Sequence, residues 1–242
     1  MRTRTEGAPS RAMMLASPRP ESAGSRFLPI SHQRVLHALI DATKSMGANL
    51  VPMMTVANQW QYNGLFRVLY QGRQYVMGVH NSNDRRSVMS IYFGSMTTSD
   101  DDTALFIPFR LPVGRKRTGV FDVDARVLNA VKTFLSPDSP QAEVLRKLTT
   151  DVTTSWHDKL LDWPQSLKLC DTLRRNGIVP TTTAMKMLHW MSDLLVRDAS
   201  SCSMLALARC FTRLTSGRAP IQYLNRQYNF ATTLIQHGVL RK

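Results

Sequence analysis

Between Leu50 and Leu111 the chain passes through short segments rich in β-branched and aromatic residues, punctuated by turn residues. Leu50 to Val56 is the first; Pro52 inside it lacks a ladder N–H, which sends the strand to a sheet edge. Leu65 to Tyr70 and Tyr75 to His80 follow, with Gln71-Gly72 as a tight turn between them. Val88 to Phe93 is next, and Leu105 to Leu111 carries Pro108, so it too belongs at an edge or a bulge. Strands joined in this way predict an up-and-down antiparallel meander, whose turns alternate between the two ends of the sheet. The 58–61 turn, the 81–86 turn and the 112–119 loop then share one end. That end gathers Trp60, Tyr62, Arg85, Arg86, Arg115, Lys116 and Arg117. The opposite end receives Gly72 and an acidic loop holding Asp100, Asp101 and Asp102. Strands of this length separate the ends by roughly 20–30 Å. A Debye length of about 8 Å at physiological salt keeps the acids from neutralising the basic end.

Helices flank the sheet. Ser31 caps a helix from His32 to about Met46, with Val35, Leu36, Leu39, Ile40 and Thr43 on one face and Gly47 as its stop. After residue 120 the periodicity is helical throughout. Val123 to Leu135 forms one helix, and the SPDSPQ stretch (Ser136 to Gln141) breaks the chain. A long helix is expected from Gln141 to Leu161, weakened by the β-branched TTDVTTS segment. Pro164 opens the next, and Asn176-Gly177 ends it. Thr182 is the expected cap of a third, Met204 to Phe211 make another, and the last, from Ile221, is expected to break in its middle. The order of blocks, strands and then helices, predicts an α+β fold. The expected division is a flexible basic arm over 1–26, a sheet domain over 27–135 and a helical region over 136–242 packed on or beside it. The arm's Arg, Pro, Ser and Gly cannot bury enough apolar area to offset ordering entropy.

The chain has 242 residues, with 31 Lys plus Arg against 17 Asp plus Glu, a net charge of +14. Such a field attracts polyanions, nucleic acid first and an anionic membrane surface second. Three cysteines, Cys170, Cys202 and Cys210, without metal-ligand spacing, point to a reducing compartment. No apolar run approaches the roughly 18 residues of a membrane span. The Arg-rich start is similar to a mitochondrial transit peptide, but Pro9, Pro18 and Pro20 interrupt any amphipathic helix there.

Motifs for catalysis are absent. Gly114-Arg-Lys-Arg-Thr-Gly119 lacks the Lys-Ser/Thr on which a P-loop ends, and no residues have metal spacing. No cofactor is expected. The turn from His80 to Asp84 offers a His and an Asp for cation binding or acid–base work. Asn and Asp in such turns more often bond their own backbone.

That turn and the opening helix together resemble a phage/plasmid-like protein family, domain of unknown function 932. The resemblance covers about residues 16–95. It rests on Arg26-Phe27, Ile30, Val35-Leu36 and Leu39, and then on Asn81, Ser82 and Asp84. Where the family's turn has His and Gly, this chain has Asn83 and Arg85, so the turn is more basic and a His-dependent role falls away. The resemblance implies a mobile-element origin, a bacteriophage and hence the host bacterial cytoplasm, and it implies no activity.

The reading that follows is a non-enzymatic nucleic-acid-binding protein, with DNA favoured over RNA and single-strand binding or annealing suited to a basic, aromatic sheet end. The alternatives are an interaction protein that inhibits a host enzyme, and a structural component of a ribonucleoprotein.

Overall fold

The computed structural model describes residues 30–58, 60–83, 88–99, 102–114, 122–154, 156, 158–199, 202–216 and 220–236. The arm over 1–26 and the motif residues Arg26-Phe27 lie outside the described residues, as do Asp100 and Asp101.

The chain is α+β. Helix α1 (His32–Ser45) precedes a five-stranded antiparallel meander, β1 (Asn49–Ala57), β2 (Gln61–Tyr70), β3 (Arg73–Ser82), β4 (Met89–Ser99) and β5 (Asp102–Gly114), paired in chain order. Helices α2 (Val123–Leu135), α3 (Pro140–Thr154), α4 (Trp163–Arg175), α5 (Thr181–Arg197), α6 (Met204–Thr215) and α7 (Pro220–Gln236) follow.

The β2–β3 hairpin is the most regular piece. Tyr70 pairs with Arg73 around Gln71 and Gly72, at φ 48° and 71°. Two consecutive left-handed residues close a two-residue turn whose twist matches the strands, which is why a glycine stands there. β1 is an edge, and its register with β2 slips between Pro52 and Met54, a bulge at the proline. β5, with Pro108, is the other edge.

The polypeptide divides into two compact units. Residues 1–93 and 109–145 form the first, and residues 94–108 and 146–242 form the second. The distal part of the β4–β5 hairpin thus groups with the helical residues.

In the first unit, α1 and α2 pack side by side and cover one face of the sheet. Val35, Leu39 and Ala42 from α1 meet Phe66, Val68, Met77, Val79, Ile91 and Phe93, every second residue of their strands. Phe134 of α2 stacks on Phe93 with ring centroids 4.2 Å apart and tilts against Phe109 at 5.1 Å. The helix ends are read from chemistry: Ser31 Oγ accepts from Arg34 N, Asp122 Oδ1 accepts from Ala125 N, and Gly47 sits at φ 72° past the end of α1.

The second unit is built on α4 to α7. Met187, Met191, Met204, Leu207 and Phe211 are fully buried, and Phe211 stacks on Phe230 at 4.0 Å. Phe106 meets the edge of Trp156 at 4.9 Å, and Leu105 N donates to Thr212 Oγ1 at 3.1 Å.

Several expectations are corrected. The fourth strand runs to Ser99 and the fifth starts at Asp102, so the strands take all but two residues of the expected loop. Its polar SMTTS stretch is strand because Ser95 and Met96 are buried. The helix expected to reach Leu161 stops at Thr154, at the end of a TTDVTT sequence whose β-branched residues have weaker helix propensity. The cap of α5 is Pro180 rather than Thr182, which lies inside the helix. The last helix, α7, is continuous.

Candidate nucleic-acid interface

The meander brings the turn before β2 and the end of β3 together, since Gln61 pairs with Ser82. Trp60 and the Asn81–Asn83 segment are therefore neighbours, and Asn83 N donates to the Trp60 carbonyl at 2.6 Å. Trp60 is 47% exposed. Its backbone is fixed from the other side as well. Asn58 Oδ1 accepts from both Trp60 N and Gln61 N, each at 2.8 Å, an Asx-type closure of the turn.

Tyr62, expected beside Trp60 as a second stacking ring, is buried at 0% exposure and is part of the core under α1. Its parity explains this: Tyr62, Phe66 and Val68 share one face of β2, and that face is covered by the helices. The ring stacks on His32, centroids 5.9 Å apart, and burial pushes its hydroxyl pKa well up. Tyr62 thus leaves Trp60 as the exposed ring of the expected pair.

The motif turn is an amide clasp. Asn83 Oδ1 accepts from Ile30 N at 3.1 Å, and Asn83 Nδ2 donates to Ile30 O at 3.0 Å. Asn81 Nδ2 donates to Ile30 O at 2.9 Å and lies 2.9 Å from His32 Nδ1. His32 Nε2 lies 3.2 Å from Asn58 O. A carbonyl only accepts, so Nε2 carries the proton and Nδ1 accepts from Asn81, which defines a neutral imidazole. Burial holds its pKa below the usual histidine value, opposed by the bond to Asn58. Asn81, Ser82 and Asn83 are all buried. Two asparagines and one histidine thereby join the start of α1 to β3 and to the Trp60 turn.

On the opposite face of the sheet lies a polar row that the sequence reading did not single out. His80 Nδ1 donates to Asn63 Oδ1 at 2.8 Å, both residues buried and directly paired across β2 and β3. Among the described residues, Asn63 Nδ2 is buried with no hydrogen-bond partner. Ser90 and Arg110 extend the same face, because Met89, Ile91, Phe109 and Leu111 pack with the helix-side core. Strand alternation was the signal that could have found this row, since it needs only the parity already used for the core.

Asp84, Arg85 and Arg86 lie outside the described residues, between Asn83 and Val88. Arg115, Lys116 and Arg117 also lie outside them, directly after β5. No group of His, Cys, Asp or Glu among the described residues could hold a metal ion. No helix among them is long and apolar enough to cross a membrane.

The class that the fold defines is thus an α+β protein with a five-stranded antiparallel meander and a helical second unit. Compared with known proteins, the chain matches no family model, no curated protein and no solved structure.

Proposed function

We propose that this chain is a non-enzymatic nucleic-acid-binding protein that takes single-stranded nucleic acid, DNA before RNA, at the end of the sheet bearing Trp60. One observation carries the reading: a half-exposed tryptophan whose backbone is held by Asn58 and Asn83 stands at the sheet end from which two basic loops depart. A ring supplies stacking for any base, and the loops' cations supply phosphate neutralisation. The net charge of +14 and the resemblance to the phage/plasmid-like family suit a bacteriophage protein acting on DNA in a host cytoplasm.

The test is a gel-shift panel of single- and double-stranded DNA and RNA at two salt concentrations. Single strands should bind best. Neutral replacements at Arg85, Arg86, Arg115, Lys116 and Arg117 together should lower the salt slope by up to about 3.5, at about 0.7 per phosphate contact. Trp60→Ala should remove stacking of about 1–3 kcal/mol and leave the slope unchanged. Absence of binding by the wild type to every probe defeats the reading.

A second reading, an interaction protein that inhibits a host enzyme, draws on the second unit. Trp163 and Leu167 lie one turn apart on α4, with Leu160 just before it, and all three are exposed. Pull-down of one host protein, abolished by Trp163→Ala and accompanied by no nucleic-acid binding, favours it.

A further inference from the structure

We propose that the outer edge of β1 is a docking site for an extended acidic peptide of a partner protein, which adds to the sheet as a further strand and gives a carboxylate to Arg67. The inference is independent of the nucleic-acid reading.

β1 pairs with β2 on one side, and among the described residues no strand pairs with it on the other. An edge strand directs alternate N–H and C=O groups outward, which is a template for an incoming strand. Folded proteins blunt such edges with charged side chains, prolines or bulges. β5, at the opposite edge, carries Pro108, Arg110 and Pro112. β1 carries no charged residue, and its one device is Pro52 with the adjacent bulge. From Met53 to Ala57 the strand has neither proline nor charge, and Met53 is exposed.

Arg67 supplies the chemistry of the partner. It faces away from the helices, because Phe66 and Val68, its neighbours along β2, point into the helix-side core. Its direct partners across the strands are Val51 of β1 and Val76 of β3, and neither offers a carboxylate. Arg67 Nε is buried with no hydrogen-bond partner, and among the described residues no carboxylate forms an ion pair with the guanidinium. A buried donor on a permanently charged group is costly in that state, and an incoming carboxylate removes the cost. A strand laid on β1 lies two strand spacings from β2, about 10 Å. A Glu on it opposite Val51 shares the face of Arg67, and the two long side chains meet over Val51. Met54 and Val56 continue that face of β1, since they pair with Leu65 and Asn63, so the other peptide side chains on it should be apolar. The net charge of +14 favours an acidic partner and opposes a second copy of this chain.

The test uses the full chain and a labelled, capped peptide of alternating Thr and Val in which one Val is Glu, with affinity read by fluorescence anisotropy. Replacing that Glu by Gln should weaken binding about fivefold, and replacing it by Lys should weaken it further. Arg67→Gln should weaken the Glu peptide by the same factor and leave the Gln peptide unchanged, so that the two losses do not add. Methylating one of the two alternate sets of peptide N–H groups should abolish binding with every charge kept, and methylating the other set should not. Bound peptide should slow amide exchange at alternate residues of β1. Circular dichroism checks the fold; if Arg67→Gln does not fold, the Glu, Gln and Lys peptides on the wild type carry the comparison. Equal binding of the Glu and Lys peptides, undiminished binding of both methylated peptides, or no binding of any peptide overturns the proposal. So does a dimer in sedimentation whose β1 amides are protected without peptide, because a second copy then takes the edge.

Discussion

Asn83→Ala isolates the side-chain half of the clasp. The Asn83 backbone N–H, which holds the Trp60 carbonyl at 2.6 Å, survives the change. What is lost is the pair of bonds to Ile30, at 3.1 and 3.0 Å. The Ile30 carbonyl keeps Asn81 Nδ2 at 2.9 Å, so its loss is one net hydrogen bond, about 0.5–1 kcal/mol. The Ile30 N–H loses its acceptor. A fully buried orphan donor costs about 1–3 kcal/mol, and half-burial of Ile30 puts this one near the lower end. The sum is about 2 kcal/mol, felt where α1 meets β3. Two compact units make a single unfolding midpoint a poor reporter, so native-state amide exchange is the assay. Amides of α1 should exchange about 30-fold faster, while those of α6 keep their protection, since about 1.4 kcal/mol is one factor of ten. Unchanged protection in α1 would refute the idea that Asn83 pins the helix start.

Two further outcomes follow from single residues. The buried neutral His32 has a depressed pKa, so below its unfolded value of about 6.5 the unfolded state binds more protons; its contribution is complete above that pH and is lost as pH falls through the folded value, at no more than about 1.4 kcal/mol per pH unit. Amide exchange in α1 measured between neutral and mildly acidic pH should show this loss, and His32→Gln should flatten it; an unchanged pH dependence in the variant counts against the assignment. Gly94→Ala should destabilise by about 2 kcal/mol or more, because a Cβ there runs into the Phe106 carbonyl, and unchanged amide-exchange protection in β4 and β5 would contradict their close approach.

The meander was legible because its punctuation is local. Gln71-Gly72 states a turn, Pro52 and Pro108 state edges, and Ser31, Pro164 and Gly177 state helix ends, each from backbone chemistry within a few residues. The strand at SMTTS was not legible, because it depends on the burial of Ser95 and Met96 by packing outside the stretch; from local polarity alone Ser95 reads as loop, yet it is buried. Tyr62 failed for a different reason. The sequence places it near Trp60, but two residues can be adjacent at a sheet end and still face opposite environments, and parity with Phe66 decides which. Asn83 shows the third kind of miss. An Asn in a polar turn reads as a local backbone bonder. Here its partner is Ile30, 53 residues away.

That clasp also bears on how much Trp60 can contribute. A single exposed apolar side chain is ordinary on a folded surface, so exposure alone says little. Trp60 differs in that its N–H and C=O are both engaged, the first by Asn58 and the second by Asn83. Asn58 in turn receives the His32 proton, and His32 receives a proton from Asn81. With the backbone fixed, only the two side-chain torsions remain to be ordered when a base stacks on the ring. Immobilising a side chain at an interface costs about 0.5–1.5 kcal/mol, and a fixed turn adds no backbone ordering to it. On the proposed nucleic-acid reading, stacking at Trp60 is expected in the upper part of the 1–3 kcal/mol range for a base on an aromatic ring. The same chain of bonds makes the turn sensitive to one proton. Charging His32 would set an Nδ1–H against the Asn81 amide, loosening the partner of Asn58 and, through Asn58, the Trp60 backbone bond.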